Sequence, residues 1–312
     1  MQRVTLLALS LLMAFSGWVC ASAKTTDTVS PPKVMASIKP LQLIAQAITD
    51  GVSDADVLLP PNVSPHGYSL KPSDIQQIKT SNVVFWIGPE MEASIAKVLG
   101  NEKNTTPVAM MEQPGITLLK SQKEHKHDKH AHHHGEYDPH IWLSPENAIA
   151  IAGIMTKTLI SLDSSHLHQS HYQTNFHRFK IAVLTADKHN HKKIATLQNR
   201  PFFVFHDAYL YLENNYHLNV SDYFTLTPEQ QPGAKHMLAL QKKLQQAGTT
   251  CIFREPQFQP VYIDRIIGNL PVTIGVLDPL AGNIKVEALG YVHFLNDMVD
   301  TIYSCLNTQI TK

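Results

Sequence analysis

Three histidines of this sequence stand where an α/β sheet presents side chains to a ligand, so they are the first candidates for chemistry. His206 directly follows the apolar run of residues 202–205, and His66 follows the run 56–60 through a short loop. His140 comes just before a helix start. Ligands of open α/β sheets bind outside the carboxyl ends of the strands. We therefore expect the three imidazoles to meet in one cleft, although each alone also fits an ordinary buried histidine with hydrogen-bonded ring nitrogens.

Asp278 adds a carboxylate to this set, because it follows the apolar run 272–277 at another predicted strand end. Zn²⁺ accepts tetrahedral coordination by imidazole nitrogen and carboxylate oxygen. Copper and nickel also bind imidazole, and the affinity order alone favours copper, whereas manganese sites carry more carboxylate. Ligand type and an exported location together favour zinc. The predicted ligands of this Zn²⁺ site are His66, His140, His206 and Asp278.

A second group of histidines lies in a low-complexity segment, residues 120–137, which has no helical or strand periodicity. The segment is predicted to be a mobile loop that binds metal weakly as an auxiliary site. Its histidines are His125, His127, His130, His132, His133 and His134. Such imidazoles are mostly unprotonated at neutral pH and release metal below about pH 6. A surface loop without a role, or a purification tag, is the alternative interpretation.

The first residues of the chain are typical of a secretory signal. Arg3 supplies the positive charge, residues 6–15 the apolar core, and residues 21–23 a small-residue cleavage pattern. The apolar run is too short to span a bilayer. We expect cleavage after Ala23, which removes residues 1–23; lipid attachment at Cys20 is the alternative.

Two cysteines, Cys251 and Cys305, remain after that cleavage. An even pair in an oxidising compartment favours a disulfide bond. Two buried free thiols are the alternative. The bridge would close a long loop and stabilise the C-terminal half of the chain.

Apolar, β-branched runs alternate with helical patterns along the chain, which predicts an α/β fold with two lobes built on parallel sheets. Residues 24–163 are predicted to form the N-terminal lobe, and residues 199–312 the C-terminal lobe. Between them, residues 164–198 contain no glycine or proline and carry one apolar stripe at helical spacing. This segment is predicted to be a long helix that joins the lobes.

The chain has 26 Lys+Arg and 26 Asp+Glu residues, and this balance of charge does not indicate a basic surface. Nucleic acid is therefore not an expected partner.

Four motifs together resemble the metal-binding signatures of the cluster A-I solute-binding proteins. They are residues 64–74 (SPHGYSLKPSD), 138–145 (DPHIWLSP), 205–209 (FHDAY) and 277–280 (LDPL). Within that family, the histidine-rich loop and the cysteine pair are similar to those of the periplasmic zinc-binding subunits of bacterial ABC importers. The resemblance covers nearly the whole mature chain.

The resemblance implies two Rossmann-like lobes joined by a rigid backbone helix, with Zn²⁺ held between them as the transported ligand. It implies a periplasmic, monomeric binding protein without enzymatic activity. Its partner would be an inner-membrane zinc permease of the ABC type with its ATPase.

The resemblance also carries ligand roles onto His66, His140 and His206. Some family members have an acidic residue directly before the first histidine, but here that residue is Pro65. Asp278 matches the fourth ligand of other members, and a water molecule is the alternative. Glu255 and Asp207 are candidates to orient an imidazole.

Two other functions remain open from the sequence. A zinc hydrolase would use three histidines and an activated water, but the sequence has no H-E-x-x-H motif and no obvious general base. A metal buffer or surface adhesin would depend on the histidine-rich loop alone.

Overall fold

The computed structural model describes residues 30–121, 135–197, 199–229, 231–258 and 261–308. The predicted signal segment, residues 1–23, and the six histidines between residues 125 and 134 lie outside the described residues. Among the helices of the described part, none combines the length and apolar character needed to cross a membrane.

Four parallel strands form the sheet of the N-terminal lobe, in the order β2-β1-β3-β4. The elements of this lobe are β1 (Val34–Ala36), α1 (Lys39–Thr49), β2 (Ala55–Val57), α2 (Pro72–Lys79), β3 (Val83–Trp86), α3 (Ala93–Leu99), β4 (Thr106–Ala109) and α4 (Pro145–Leu162). Because parallel strands need crossover helices that cover the sheet, β1 and β3 are buried along their whole length.

Residues that favour a helix start stand at the beginnings of α2 and α4. Each helix begins with a proline, which has no N–H to leave unpaired in the first turn. The Asp74 carboxylate accepts a hydrogen bond from the backbone N–H of Lys71 (2.8 Å). The Ser144 hydroxyl accepts one from the backbone N–H of Asn147 (3.2 Å), as an N-cap should.

The long connecting helix, α5 (Gln169–Ile194), is shorter at both ends than the predicted segment 164–198. Its 26 residues span about 39 Å. It begins late because Asp163 holds a turn ahead of it, with its carboxylate accepting the backbone N–H of His168 (2.9 Å). The predicted apolar stripe is the face that packs against α1 and α4.

Four further parallel strands form the sheet of the C-terminal lobe, in the order β6-β5-β7-β8. The elements are β5 (Pro201–His206), α6 (Leu210–Tyr216), β6 (Asn219–Thr225), α7 (Ala234–Ala247), β7 (Thr250–Arg254), α8 (Val261–Ile267), β8 (Val272–Val276) and α9 (Gly290–Thr308). The prediction of an α/β fold with two parallel sheets is confirmed.

The predicted disulfide is present. Cys251 in β7 and Cys305 in α9 are joined, with 2.04 Å between the sulfur atoms. The bridge therefore fastens the last helix of the chain to the sheet of the C-terminal lobe.

Candidate metal centre

Three imidazoles meet at the carboxyl ends of the two sheets. His206 is the last residue of β5, His66 lies in the loop that follows β2, and His140 precedes a 3-10 turn at Ile141–Leu143. His140 and His206 are buried, with 3% of each residue exposed, and His66 is half-buried. The cleft predicted from strand-end placement is thus formed by two histidines of the N-terminal lobe and one of the C-terminal lobe.

The distances between the ring nitrogens suit a metal ion. Nε2 of His140 lies 3.2 Å from Nε2 of His66 and 3.4 Å from Nε2 of His206. A tetrahedral zinc ion with Zn–N bonds of about 2.0–2.1 Å holds its ligand nitrogens about 3.3–3.4 Å apart. One ring nitrogen of each histidine lies within 4.8 Å of the other two. Two of the three separations therefore already match those around a bound ion, and the third is at most 4.8 Å.

Carboxylates orient two of these rings from behind. Glu255 Oε1 lies 2.6 Å from His206 Nδ1, and Asp138 Oδ1 lies 2.7 Å from His140 Nδ1. Because a carboxylate only accepts, Nδ1 carries the proton and donates it, which leaves the lone pair of Nε2 facing the centre. Two such lone pairs facing each other at 3.4 Å repel, and a cation between them removes that repulsion.

The supporting carboxylates are themselves held in place. The Tyr209 hydroxyl donates to Glu255 Oε1 (3.0 Å), and the backbone N–H of His140 donates to Asp138 Oδ1 (2.8 Å). Glu255 was a sequence candidate for this role, and its contact with His206 is present. Sequence reasoning missed Asp138, although its place two residues before His140 in the DPHIW motif was a usable signal.

Asp207, the other sequence candidate, is not the residue that orients His206 or His140. The Nδ1 atoms of those rings bond to Glu255 and Asp138, and burial together with Asp138 raises the pKa of Asp207 to about 7. The orientation of His206 therefore depends on Glu255 rather than on its neighbour in sequence.

Asp278 follows β8 at the same edge of the C-terminal sheet, but its carboxylate has other partners. Oδ1 accepts from Gln257 Nε2 (2.8 Å) and from the backbone N–H of Leu280 (3.0 Å), and Oδ2 accepts from the N–H of Gly282 (2.6 Å). Among the described histidines, cysteines and acidic residues, the only group of three or more with mutually close ligand atoms is the three histidines. Ligation by Asp278 stays a prediction.

A small pocket opens at the three histidines. Its empty volume is about 250 Å³ including the mouth, and Met91, Trp142, Phe258 and Leu280 supply apolar walls. Sites for drug-sized ligands usually have about 300–1,000 Å³. The pocket therefore suits an ion with little accompanying solvent better than an organic substrate.

The comparisons with known proteins agree on one family. Residues 34–305 match the family model described as ZnuA, zinc-uptake complex component A, periplasmic. The chain is 38% identical over 291 residues to the high-affinity zinc uptake system protein ZnuA of Yersinia pestis, covering 88% of this chain and 91% of that one. It is 35% identical over 298 residues to the protein of the same name from Haemophilus ducreyi, covering 89% and 94%.

Solved structures show the same fold. A crystal structure of ZnuA superposes with a TM-score of 0.74 at 25% identity, covering 88% of this chain and 99% of that one. The AdcAII protein of Streptococcus pneumoniae gives a TM-score of 0.74 at 21% identity, covering 89% and 100%, which supports the fold alone. The resemblance drawn from the four sequence motifs is confirmed.

Proposed function

Because the chain belongs to the ZnuA family of periplasmic zinc-uptake components, we propose that it captures Zn²⁺ with His66, His140 and His206 and delivers it to a membrane permease. The permease would be the inner-membrane subunit of an ABC importer driven by its ATPase. The protein would act in the periplasm as a monomer, after removal of residues 1–23.

The observation that carries this proposal is the spacing of the three Nε2 atoms. Two of the three distances, 3.2 and 3.4 Å, are those of neighbouring ligands around one tetrahedral ion. Because the ligands come from both lobes, a movement of one lobe relative to the other can open the site. Capture followed by release requires such an opening.

The fourth coordination position of the ion has two candidate ligands, Asp278 and a water molecule. Asp278 would have to exchange the hydrogen bonds from Gln257, Leu280 and Gly282 for a bond to zinc. That exchange disfavours Asp278 in the present arrangement, so we propose a water molecule there.

The zinc-hydrolase alternative has less support. A pocket of about 250 Å³ leaves little room for a substrate beside the ion, and the two carboxylates nearest the rings are engaged by Nδ1 atoms. Hydrolysis of a peptide or ester that depends on the bound metal would favour that alternative.

Zinc binding by alanine variants tests the proposal directly. The His66→Ala, His140→Ala and His206→Ala variants should each lose more than about 100-fold in zinc affinity, since even outer-shell changes cost about 10–100-fold. His177→Ala is the control, because His177 is exposed on α5. Affinity is measured by competition with a chromophoric chelator.

Each variant is also measured with residues 122–134 deleted, so that histidines of the loop cannot mask a loss at the cleft. Tight binding that survives His66→Ala in the deleted background contradicts the cleft site. Binding that disappears only on deletion of the loop would instead support the metal-buffer function.

A further inference from the structure

The segment from Asp278 to Gly282, here called the 278–282 turn, is shaped by its own carboxylate. Asp278 accepts hydrogen bonds from two backbone N–H groups of the turn, those of Leu280 and Gly282. Ala281 has a φ of +56°, a left-handed conformation that is strained for a non-glycine residue. A Cβ on Gly282 would lie 2.9 Å from Asp278 Oδ2. Such a turn persists only where its surroundings hold it.

Two side chains of the N-terminal lobe hold this turn of the C-terminal lobe. Lys39, in the first turn of α1, donates from Nζ to the carbonyl of Gly282 at 2.7 Å. Trp142 donates from Nε1 to the carbonyl of Pro279 at 2.8 Å. Trp142 is fully buried, and its own carbonyl accepts from the Tyr291 hydroxyl of α9 at 2.7 Å. Both ends of the turn are therefore anchored across the cleft.

Gln257 adds a third bridge across the same gap. Its Nε2 donates to Asp278 Oδ1 at 2.8 Å and lies 3.4 Å from the carbonyl of Pro61, in the loop that leads to His66. The turn is thus tied to the segment that carries one of the N-terminal histidines.

The turn is also a wall of the metal pocket. Pro279 and Leu280 line the pocket together with the three histidines. The Trp142 ring stands edge-on to the His140 ring, with 5.3 Å between centroids. An ion held by histidines of both lobes leaves only when this wall or the lobes move apart, and the bonds to the turn resist that movement.

We propose that the 278–282 turn is an inter-lobe latch, and that Lys39 and Trp142 are positioning residues whose bonds to it set the rate of zinc release. The inference rests on the proposed function, since it concerns release from the same three-histidine site. Asp278 shapes the latch from inside the turn.

The dissociation rate of zinc from the Lys39→Met variant tests the latch. Methionine keeps the length and apolar stem of lysine but removes the charged donor. The full chain is loaded with half an equivalent of zinc, so that the tightest site fills first, and is mixed with excess chelator in a stopped-flow instrument. Loss of the charged hydrogen bond should raise the dissociation rate about tenfold.

Two matched variants accompany it. Lys33→Met removes an exposed lysine of the same lobe whose Nζ donates to Thr80 Oγ1 (3.4 Å) and not to the turn. The rate of zinc dissociation from this variant should equal that of the wild type. Lys39→Arg keeps a charged donor and should restore the slow rate to within about threefold. A Lys39→Met rate within twofold of the Lys33→Met rate would overturn the proposal.

Cobalt spectra separate the latch from the ligand set. Co²⁺ bound at the three histidines gives visible bands that report its ligands, and these should be unchanged in Lys39→Met and in Asp278→Asn. A changed spectrum in Asp278→Asn would show that Asp278 is a ligand and would overturn its assignment to the turn. Absence of a tight cleft site in the wild type would overturn the proposed function itself, whereas unchanged release from Lys39→Met would overturn the latch alone.

Discussion

At the scale of single residues, Glu92 is a buried carboxylate away from the three histidines. It directly precedes α3, and its Oε2 accepts from the backbone N–H of Ile87 (2.7 Å). Among the described residues, neither its Oε1 nor the nearby Ser37 hydroxyl has a hydrogen-bond partner of good geometry. Burial raises the pKa of Glu92 to about 7 from 4.5. At pH values between 4.5 and about 7, the Glu92 carboxyl therefore keeps its proton in the folded protein and loses it in the unfolded chain.

This predicts a pH-dependent loss of stability at one site. Below about pH 4.5 both states carry the proton, and between 4.5 and 7 only the folded state does. The Glu92 contribution to the free energy of unfolding should therefore fall by about 3 kcal/mol as the pH rises through that window. Glu92→Gln keeps a neutral side chain at all pH values and offers an N–H to Ser37. Its free energy of unfolding relative to that of the wild type should therefore rise by that amount over the same pH window.

The measurement is urea unfolding of metal-free protein in a chelator at several pH values from 4.5 to 8. The difference in free energy of unfolding between variant and wild type is followed as a function of pH. Groups that titrate in both proteins, such as Asp207, contribute equally to each and drop out of this difference. Glu90→Gln, at the exposed glutamate two residues earlier, is the control for replacing a glutamate by glutamine in this segment. A pH-independent difference for Glu92→Gln would refute the buried-charge explanation.

The sequence identified the three histidines but only part of their surroundings, for a physical reason. A histidine after an apolar strand is visible in sequence, because the strand end fixes its position at the sheet edge. Glu255 was a candidate, but the sequence could not show which imidazole it meets, because it lies 49 residues from His206 and becomes its neighbour only through the pairing of β5 with β7. The spacing of the motifs likewise cannot show that the Asp278 carboxylate is occupied by its own turn.

At the scale of elements, strands with a continuous apolar run were predictable, and strands without one were missed. β4 contains Pro107 and exposes its first two residues, and β6 mixes polar and apolar side chains in no regular order at the edge of its sheet. Such strands are fixed by their neighbours in the fold rather than by a local pattern. α1 was also missed, although its polar residues Lys39, Gln42, Gln46 and Thr49 recur at helical spacing and were a usable signal.

The disulfide between β7 and α9 makes a prediction about the C-terminal lobe. Cys251 and Cys305 are 54 residues apart, so the bridge should add about 4 kcal/mol to the free energy of unfolding on the chain-entropy model. The double variant Cys251→Ala, Cys305→Ala should lose up to that amount, measured by urea unfolding of the metal-free protein. Neither cysteine lines the metal pocket, so zinc affinity should change less than about threefold.

Variants are preferable to a reducing agent here, because thiols and phosphines bind zinc themselves. The wild type treated identically is the reference. Zinc affinity that falls in step with stability would contradict the separation of the bridge from the site.

At the scale of the whole molecule, the three-histidine cluster draws its side chains from both lobes. His66 and His140 belong to the N-terminal lobe and His206 to the C-terminal lobe, while α5 packs against α1 of the first and α9 of the second. An ion bound only by the folded, closed arrangement stabilises that arrangement by an amount that grows with its concentration. Zinc binding should therefore stabilise both lobes together against unfolding.

Hydrogen exchange followed by mass spectrometry measures this directly. Saturating zinc, at about 100 times its dissociation constant, should slow exchange by global opening about 100-fold, which corresponds to about 2.7 kcal/mol. The slowing should reach the core strands of both sheets, β3 in one and β5 in the other, because opening either lobe breaks the site. In His206→Ala the two remaining ligands lie in one lobe, so zinc should no longer protect β5. Protection of β3 alone in the wild type would mean that zinc binds within the N-terminal lobe and does not bridge the cleft.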